Sequence, residues 1–200
     1  MWAHAVVVPP PGLDQDLGLG QAVEDLAVEQ FVAQLADILK DEAIMSTVFE
    51  AFLRNFYAHE QSQFRVGSEI LNWSGSGSLA DWAYLPDMKT DITLRGAERT
   101  LILDAKFYSE PLPKNQYGGR RVRSGHLYQL LAYLRHASAR PGPPVSGGLI
   151  YAAAGDAFRL RYELDGFDLQ VVAIDLDQPW DLIRDDLLSF IRPSALFLSP

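Results

Sequence analysis

Apolar positions at helical spacing dominate the first third of the chain. Val23, Leu26, Ala27, Phe31, Leu35, Ile38 and Leu39 recur every three or four residues, which predicts a helix from about Leu19. The pattern breaks near Lys40–Asp41 and restarts at Ile44, Val48, Phe49, Phe52, Leu53 and Phe56, so a second, more strongly amphipathic helix is expected to reach about Tyr57. Ahead of both, Pro9-Pro10-Pro11-Gly12 breaks any element begun at the N-terminus, and residues 1–20 are expected to form an arm. The pattern then becomes extended. Residues 64–73 predict one strand, with Phe64, Val66, Ile70 and Trp73 as its apolar members. Ser74-Gly75-Ser76-Gly77-Ser78 has the composition of a flexible loop. Leu85–Leu94 resumes an extended pattern, Gly96-Ala97-Glu98 predicts a hairpin turn, and Thr100-Leu101-Ile102-Leu103 is a continuous apolar run suited to a buried sheet position.

Residues 109–124 are rich in Pro, Gly and Arg, lack periodicity, and predict a loop. Leu127–Ala137 reads as a helix with Leu127, Leu130, Leu131 and Leu134 inward, ended by Pro141-Gly142-Pro143-Pro144. A strand over Gly148–Ala154, a hairpin-like pair over Arg159–Leu164 and Leu169–Ile174, and a helix over Asp181–Ile191 complete the chain, with no internal repeat. This order predicts α/β or α+β architecture, with one central sheet covered by helices.

The chain has 200 residues, 48% of them apolar and 22% charged, which suits a globular protein with one domain over residues 21–200, its helical N-terminal part covering 21–57. The absence of cysteine excludes disulfides, zinc-thiolate sites and a cysteine nucleophile. No apolar run reaches the ~18 residues of a membrane span. The apolar start, Met1–Val8, is short and lacks a basic leader, so no signal peptide is expected and the default compartment is the cytosol. A net charge of −9 argues against a polyanion partner, but its distribution argues back. Lys114, Arg120, Arg121, Arg123, Arg135 and Arg140 fall in Pro111–Gly155, a stretch without any acid. It reads equally as a polyanion-facing surface or as a basic loop neutralised by neighbours.

Candidate chemistry centres on Asp91 and the run Asp104-Ala105-Lys106. With the turn near Gly96–Glu98, residues about thirteen apart lie nearly opposite each other, and strand alternation puts Asp104 and Lys106 on one face. Two carboxylates and one ammonium then gather at one end of a sheet. Repulsion between the carboxylates is relieved by a divalent cation, and Mg²⁺ takes few protein carboxylates, keeping water and phosphate oxygens for the rest of its shell. The carbonyl of Ala105 offers one more oxygen, and Lys106 would polarise a water or stabilise charge growing on phosphorus. The ordinary alternative is a surface ion pair worth about 0–1 kcal/mol.

Three features add weight. Glu50 is a lone acid beside the aromatic face of the second helix; it reads either as an i,i+4 partner of Arg54 or as a carboxylate of the same metal site. Gln129 and Tyr133, four apart, share one face of the later helix. Lys114, Arg120, Arg121 and Arg123 lie between Lys106 and that helix, where a phosphate backbone would be cradled. His4, His59, His126 and His136 have no metal-ligand spacing, and His126 is the one near the site in sequence. Trp73 and Trp82 read as core or rim. No Gly-rich phosphate loop is present, so the chain is not expected to hydrolyse GTP itself.

Asp91, Asp104-Ala105-Lys106, upstream Glu50 and downstream Gln129-x-x-x-Tyr133, in that order, resemble the PD-(D/E)XK nuclease superfamily in its RecB-like branch. The segments Met45–Tyr57, Leu85–Ile92, Leu103–Tyr108 and Ser124–Leu130 resemble, more closely still, the McrC family, the nuclease subunits of McrBC modification-dependent restriction systems. The resemblance implies a PD-(D/E)XK restriction-endonuclease-like α/β fold, a central mixed sheet flanked by helices. It implies Mg²⁺-dependent cleavage of double-stranded DNA, with Mn²⁺ able to substitute. Asp91, Asp104, Glu50 and the Ala105 carbonyl would serve the metal, Lys106 the attacking water, and Gln129 and Tyr133 would support the site. It also implies a McrB-like GTPase motor as partner, and dimerisation for double-strand cleavage. Two departures stand out: only about forty residues precede the nuclease pattern, where the family carries a larger docking region, and Pro86-Asp87 precedes Asp91 by four residues, which leaves Asp87 as an alternative ligand. A non-catalytic DNA-binding or assembly subunit, and a stand-alone nuclease of repair or CRISPR-type defence, are the competing readings.

Overall fold

Phe49, Leu53, Phe56 and Tyr57 fall at i, i+4, i+7 and i+8 of one helical face, and all four are buried in α1 (Glu42–Glu60). The computed structural model describes residues 41–108, 111–113, 119–155 and 157–192; the arm and the helix expected upstream of Asp41 lie outside these residues. The chain divides after Asp41 into two compact units, and the elements described here belong to the second. They continue through β1 (Arg65–Gly67), β2 (Ile70–Leu71), α2 (Leu79–Trp82), β3 (Met88–Lys89), β4 (Ile92–Arg95) and β5 (Thr100–Phe107). Then come α3 (Ser124–Ser138), β6 (Val145–Ala153), β7 (Phe158–Leu164), β8 (Phe167–Asp175) and α4 (Trp180–Phe190).

Six strands form one sheet in the order β1-β4-β5-β6-β8-β7. β1, β4 and β5 are antiparallel neighbours, β5, β6 and β8 run parallel, and β7 returns antiparallel to β8. The α/β class is one of the two that the pattern left open, and the central mixed sheet flanked by helices is the one the resemblance implied. Alternation divides the core. Leu101, Leu103 and Ala105 of β5, Ile150 and Ala152 of β6, and Val172 and Ile174 of β8 pack with α1 and α4 on one face. Ile102, Leu149, Tyr151, Val171 and Ala173 pack with Leu130, Tyr133, Leu134 and Ala137 of α3 on the other.

The strand expected over 64–73 is in fact two, and the reason is Thr90. Ser68 Oγ donates to the Thr90 carbonyl at 2.5 Å, the Glu69 N–H donates to Thr90 Oγ1 at 2.9 Å, and the Thr90 N–H donates to the Glu69 carbonyl at 2.9 Å. The chain bends there and leaves the large sheet for a two-stranded one of β2 and β3. Leu85–Leu94 splits for the same reason, into β3 and β4 with Thr90 and Asp91 between them. The Gly/Ser loop leads into α2, a helix not expected, whose first turn is capped by Ser78 Oγ accepting from the Asp81 N–H at 3.2 Å. α3 begins at Ser124 rather than Leu127. The β7–β8 hairpin closes through Asp165-Gly166, both in the left-handed region (φ 54° and 80°), which carries the ladder to Leu164↔Phe167.

β6 begins at Val145, three residues earlier than expected, because glycines at 147 and 148 let two helices approach the sheet from opposite faces. A Cβ on Gly147 would meet Leu134 Cδ1 of α3 at 2.9 Å, and one on Gly148 would meet Phe190 Cε1 of α4 at 2.5 Å. Gly148→Ala is expected to destabilise the fold by about 1–3 kcal/mol through overpacking. Gly125→Ala, in the first turn of α3 where a Cβ meets nothing within 4 Å, should hold or raise stability. Urea denaturation compares the two, and equal midpoints would contradict this packing.

Candidate active site

The β4–β5 ladder ends at Ile92↔Leu103, so Asp91 emerges where its strand stops pairing. Its Oδ2 accepts the Ala105 N–H at 2.8 Å, taking the place of a strand partner. Asp91 is held there from behind. Thr90 is locked to Ser68 and Glu69, its hydroxyl lies 2.8 Å from that of Thr93, and Arg95 donates from Nε and Nη2 to the two Glu69 carboxylate oxygens at 2.5 Å each. Asp87 is exposed on the loop before β3, so it is Asp91 that reaches the backbone of β5.

Asp104 follows Ile102 on the α3 face of β5 and is completely buried. Lys106 Nζ lies 2.7 Å from Asp104 Oδ2, yet neither oxygen of Asp104 has a hydrogen-bond partner of good geometry. The ammonium compensates the charge and leaves lone pairs unused. Lys106 Nζ also donates to Gln129 Oε1 at 3.4 Å, and Gln129 Nε2 donates to the Tyr133 hydroxyl at 2.8 Å. The structure thus brings Asp91, Asp104, Lys106, Gln129 and Tyr133 to one end of the sheet. Ala105 itself is buried on the opposite face, against α1.

Electrostatics tie Glu50 to the same place. Burial raises its pKa first, Asp91 raises it further, and Lys106, Arg54 and Lys89 oppose both. Asp91 is raised by burial, against the Ala105 hydrogen bond and the charges of Lys106 and Arg54. Burial pushes Asp104 up to about 7, opposed by Lys106 and reinforced by Asp91 and Glu50. Burial pushes Lys106 down, but the carboxylates of Asp104 and Asp91 outweigh it, and the ammonium is retained. All three carboxylates are raised despite these cations, a balance that a divalent cation would relieve. Among the described residues no three His, Asp or Glu side chains are close enough to hold a metal by themselves. A pair of carboxylates is a donor set that Mg²⁺ would accept, since that ion takes one or two and completes its shell with water and phosphate.

The basic residues behave unequally. Lys114 lies outside the described residues. Arg120 and Arg121 are exposed, and Arg123 is half-buried before α3, stacked 4.8 Å over the Tyr108 ring. Arg135 instead pairs with Asp165 at 2.6 Å, and Arg140 reaches the Ile70 carbonyl at 3.5 Å, so the acid-free stretch is not one surface. Trp73 and Trp82 are rim residues that donate to the carbonyls of Pro86 and Gly77. His126, close in sequence, proves close in space: its Nδ1 is 2.7 Å from the hydroxyl of Tyr151, which is the β6 neighbour of Lys106. Tyr151 gave no sign in the sequence, because the parallel β5–β6 register that places it is invisible there.

A mixed α/β sheet that delivers paired carboxylates and a lysine to one end is consistent with a nuclease-like fold. The "Type IV methyl-directed restriction enzyme EcoKMcrBC" of Escherichia coli (strain K12) is 34% identical over 154 residues, which are 76% of this chain and 44% of that protein. That similarity supports the McrC family over the region they share. It spans less than half the length of this curated relative. No family model matches the chain.

The raised carboxylates fix a sign for pH dependence. A carboxyl group whose folded pKa is raised favours the folded state below its unfolded pKa, and this advantage is lost as pH rises through the folded value. For Asp104 that window runs from its ordinary 3.8 to about 7. Metal-free protein is expected to lose thermal stability across it, and Asp104→Asn to flatten the loss. Melting curves over this pH range check it; an Asn variant with the wild-type slope would refute it.

Proposed function

We propose that this chain is the nuclease part of a restriction-system subunit that hydrolyses double-stranded DNA in a Mg²⁺-dependent reaction. The observation that carries this reading is Asp104, buried with both oxygens lacking hydrogen bonds, beside Lys106 and across from a fixed Asp91. The similarity to a methyl-directed restriction enzyme supports it.

Asp91 and Asp104 would hold the cation, with the Ala105 carbonyl as a further oxygen and Glu50 contributing through water. Bound there, Mg²⁺ would supply Lewis-acid activation and neutralise phosphate charge. Lys106, kept as an ammonium, orients the attacking water and stabilises negative charge developing on the phosphoryl oxygens. Gln129 and Tyr133 hold the lysine in position. Water adds to phosphorus in line, the P–O3′ bond breaks, and a 5′-phosphate and 3′-hydroxyl remain. Arg120, Arg121, Arg123 and Lys114 are the proposed contacts to the DNA backbone. A McrB-like GTPase is the proposed motor partner, consistent with the absence of a phosphate-binding loop here, and two copies would cut the two strands.

Asp104→Ala and Lys106→Ala should each abolish Mg²⁺-dependent cleavage while circular dichroism shows the fold retained. Calorimetric titration with Mg²⁺ or Mn²⁺ should show binding to wild type and none to Asp104→Ala. Undiminished cleavage by either variant would refute the assignment, and absence of metal binding by wild type would favour a non-catalytic subunit.

A further inference from the structure

One group beside the proposed site is used by no step above. Asp104 and Lys106 alternate along one face of β5, about 6.6 Å apart at the usual rise, and Tyr108, just past the strand's end, packs on the same side. Tyr151 sits beside Lys106 on β6, and His126, in the first turn of α3, lies over this row. Its ring centroid is 5.2 Å from that of Tyr108 and 5.8 Å from that of Tyr151. His126 therefore stands further along the strand than the carboxylates, between Lys106 and Arg123.

The contact between His126 Nδ1 and the Tyr151 hydroxyl is the basis for assigning the tautomer. Burial raises the Tyr151 pKa, so its hydroxyl keeps its proton and needs an acceptor. Among the described residues His126 Nδ1, at 2.7 Å, is the hydrogen-bond partner it has. Burial, then Lys106 and Arg123, push His126 down to about 4, so the ring is neutral near pH 7. A neutral imidazole that accepts at Nδ1 carries its hydrogen on Nε2. Nε2 makes no hydrogen bond among the described residues, and the residue is partly exposed. The result is a rigid, uncharged N–H donor set between two cations.

We propose that His126 is a phosphate contact of the nucleic acid: its Nε2–H, oriented by Tyr151, donates to a non-bridging oxygen of the phosphate adjoining the one that is cut. This rests on the nuclease reading above. A neutral donor is useful there because it adds direction without further cationic crowding against Lys106 and Arg123. It also sets the contact apart from those of Arg121 and Lys114, which act by charge and carry the salt dependence of binding.

The test is metal-free binding of a fluorescent DNA duplex, followed by anisotropy across a salt series near neutral pH, with the whole chain. His126→Asn, whose amide does not reach the Nε2 position, should weaken binding about tenfold. His126→Gln, whose amide does reach it, should restore most of the affinity. Tyr151→Phe, which frees the tautomer, should fall between them. The slope of log K against log salt should be the same in all four proteins, because no charge is removed. Asn and Gln variants that bind alike, or a slope reduced by about one in both, would overturn the proposal, the latter because it marks a cationic contact. Mg²⁺-dependent cleavage by wild type is scored in parallel. Binding with the predicted variant order but without cleavage sinks the nuclease reading and leaves the contact standing. No duplex binding by wild type sinks the contact.

Discussion

A carboxylate buried at the end of a central strand is the constraint on which this molecule turns. Asp104 continues the line of Ile102, so the fold places it where an apolar side chain would serve stability better. Lys106 lies two residues further along the same face and keeps the charge tolerable. Asp91 and Glu50 press in the opposite direction. The local arrangement is thus under electrostatic tension in the protein alone. That tension is intelligible if the site is completed by something positive, as the proposed chemistry requires.

Holding such a group still demands support from several elements. Asp91 is anchored forward on the Ala105 backbone and backward through Thr90, which lies at the crossing between two sheets. The Glu69–Arg95 pair braces the same bend. α3 contributes from the other side through Gln129 and Tyr133. The small sheet of β2 and β3 is marginal by length, yet it turns the chain at the position where the β4–β5 hairpin ends.

Much of this was legible in the sequence. Strand alternation alone placed Asp104 and Lys106 on one face, and the spacing from Asp91 through the turn placed Asp91 near them. Helical spacing placed Phe49, Leu53 and Phe56 on the buried face of α1, whereas Ile44 and Val48 of the same pattern are exposed. What stayed hidden were facts of tertiary pairing. The split of residues 64–73 depends on Thr90, twenty-odd residues away, and no local pattern announces it. The early start of β6 was masked by Gly147, which reads as a weak strand residue until α3 is seen pressing on it. The Tyr151–His126 contact follows from the parallel pairing of β5 with β6, which hydrophobic periodicity does not encode. The dispersal of Arg135 and Arg140 away from the remaining basic residues is likewise set by the turns they happen to face.

The tight reversal joining β4 to β5, where the Gly96 N–H meets the Arg99 carbonyl at 2.9 Å, is far from any reacting group. It nevertheless works as the zero mark of a ruler. Counting down both strands from Arg95 and Thr100 brings Ile92 level with Leu103 and leaves the two acids at the open end together. A slip of one notch at that distant corner would turn every side chain of one strand to the wrong side of the sheet. The corner is itself crowded, since a Cβ on Gly96 would meet the Phe64 ring at 2.8 Å, so its length and its first residue together keep that count.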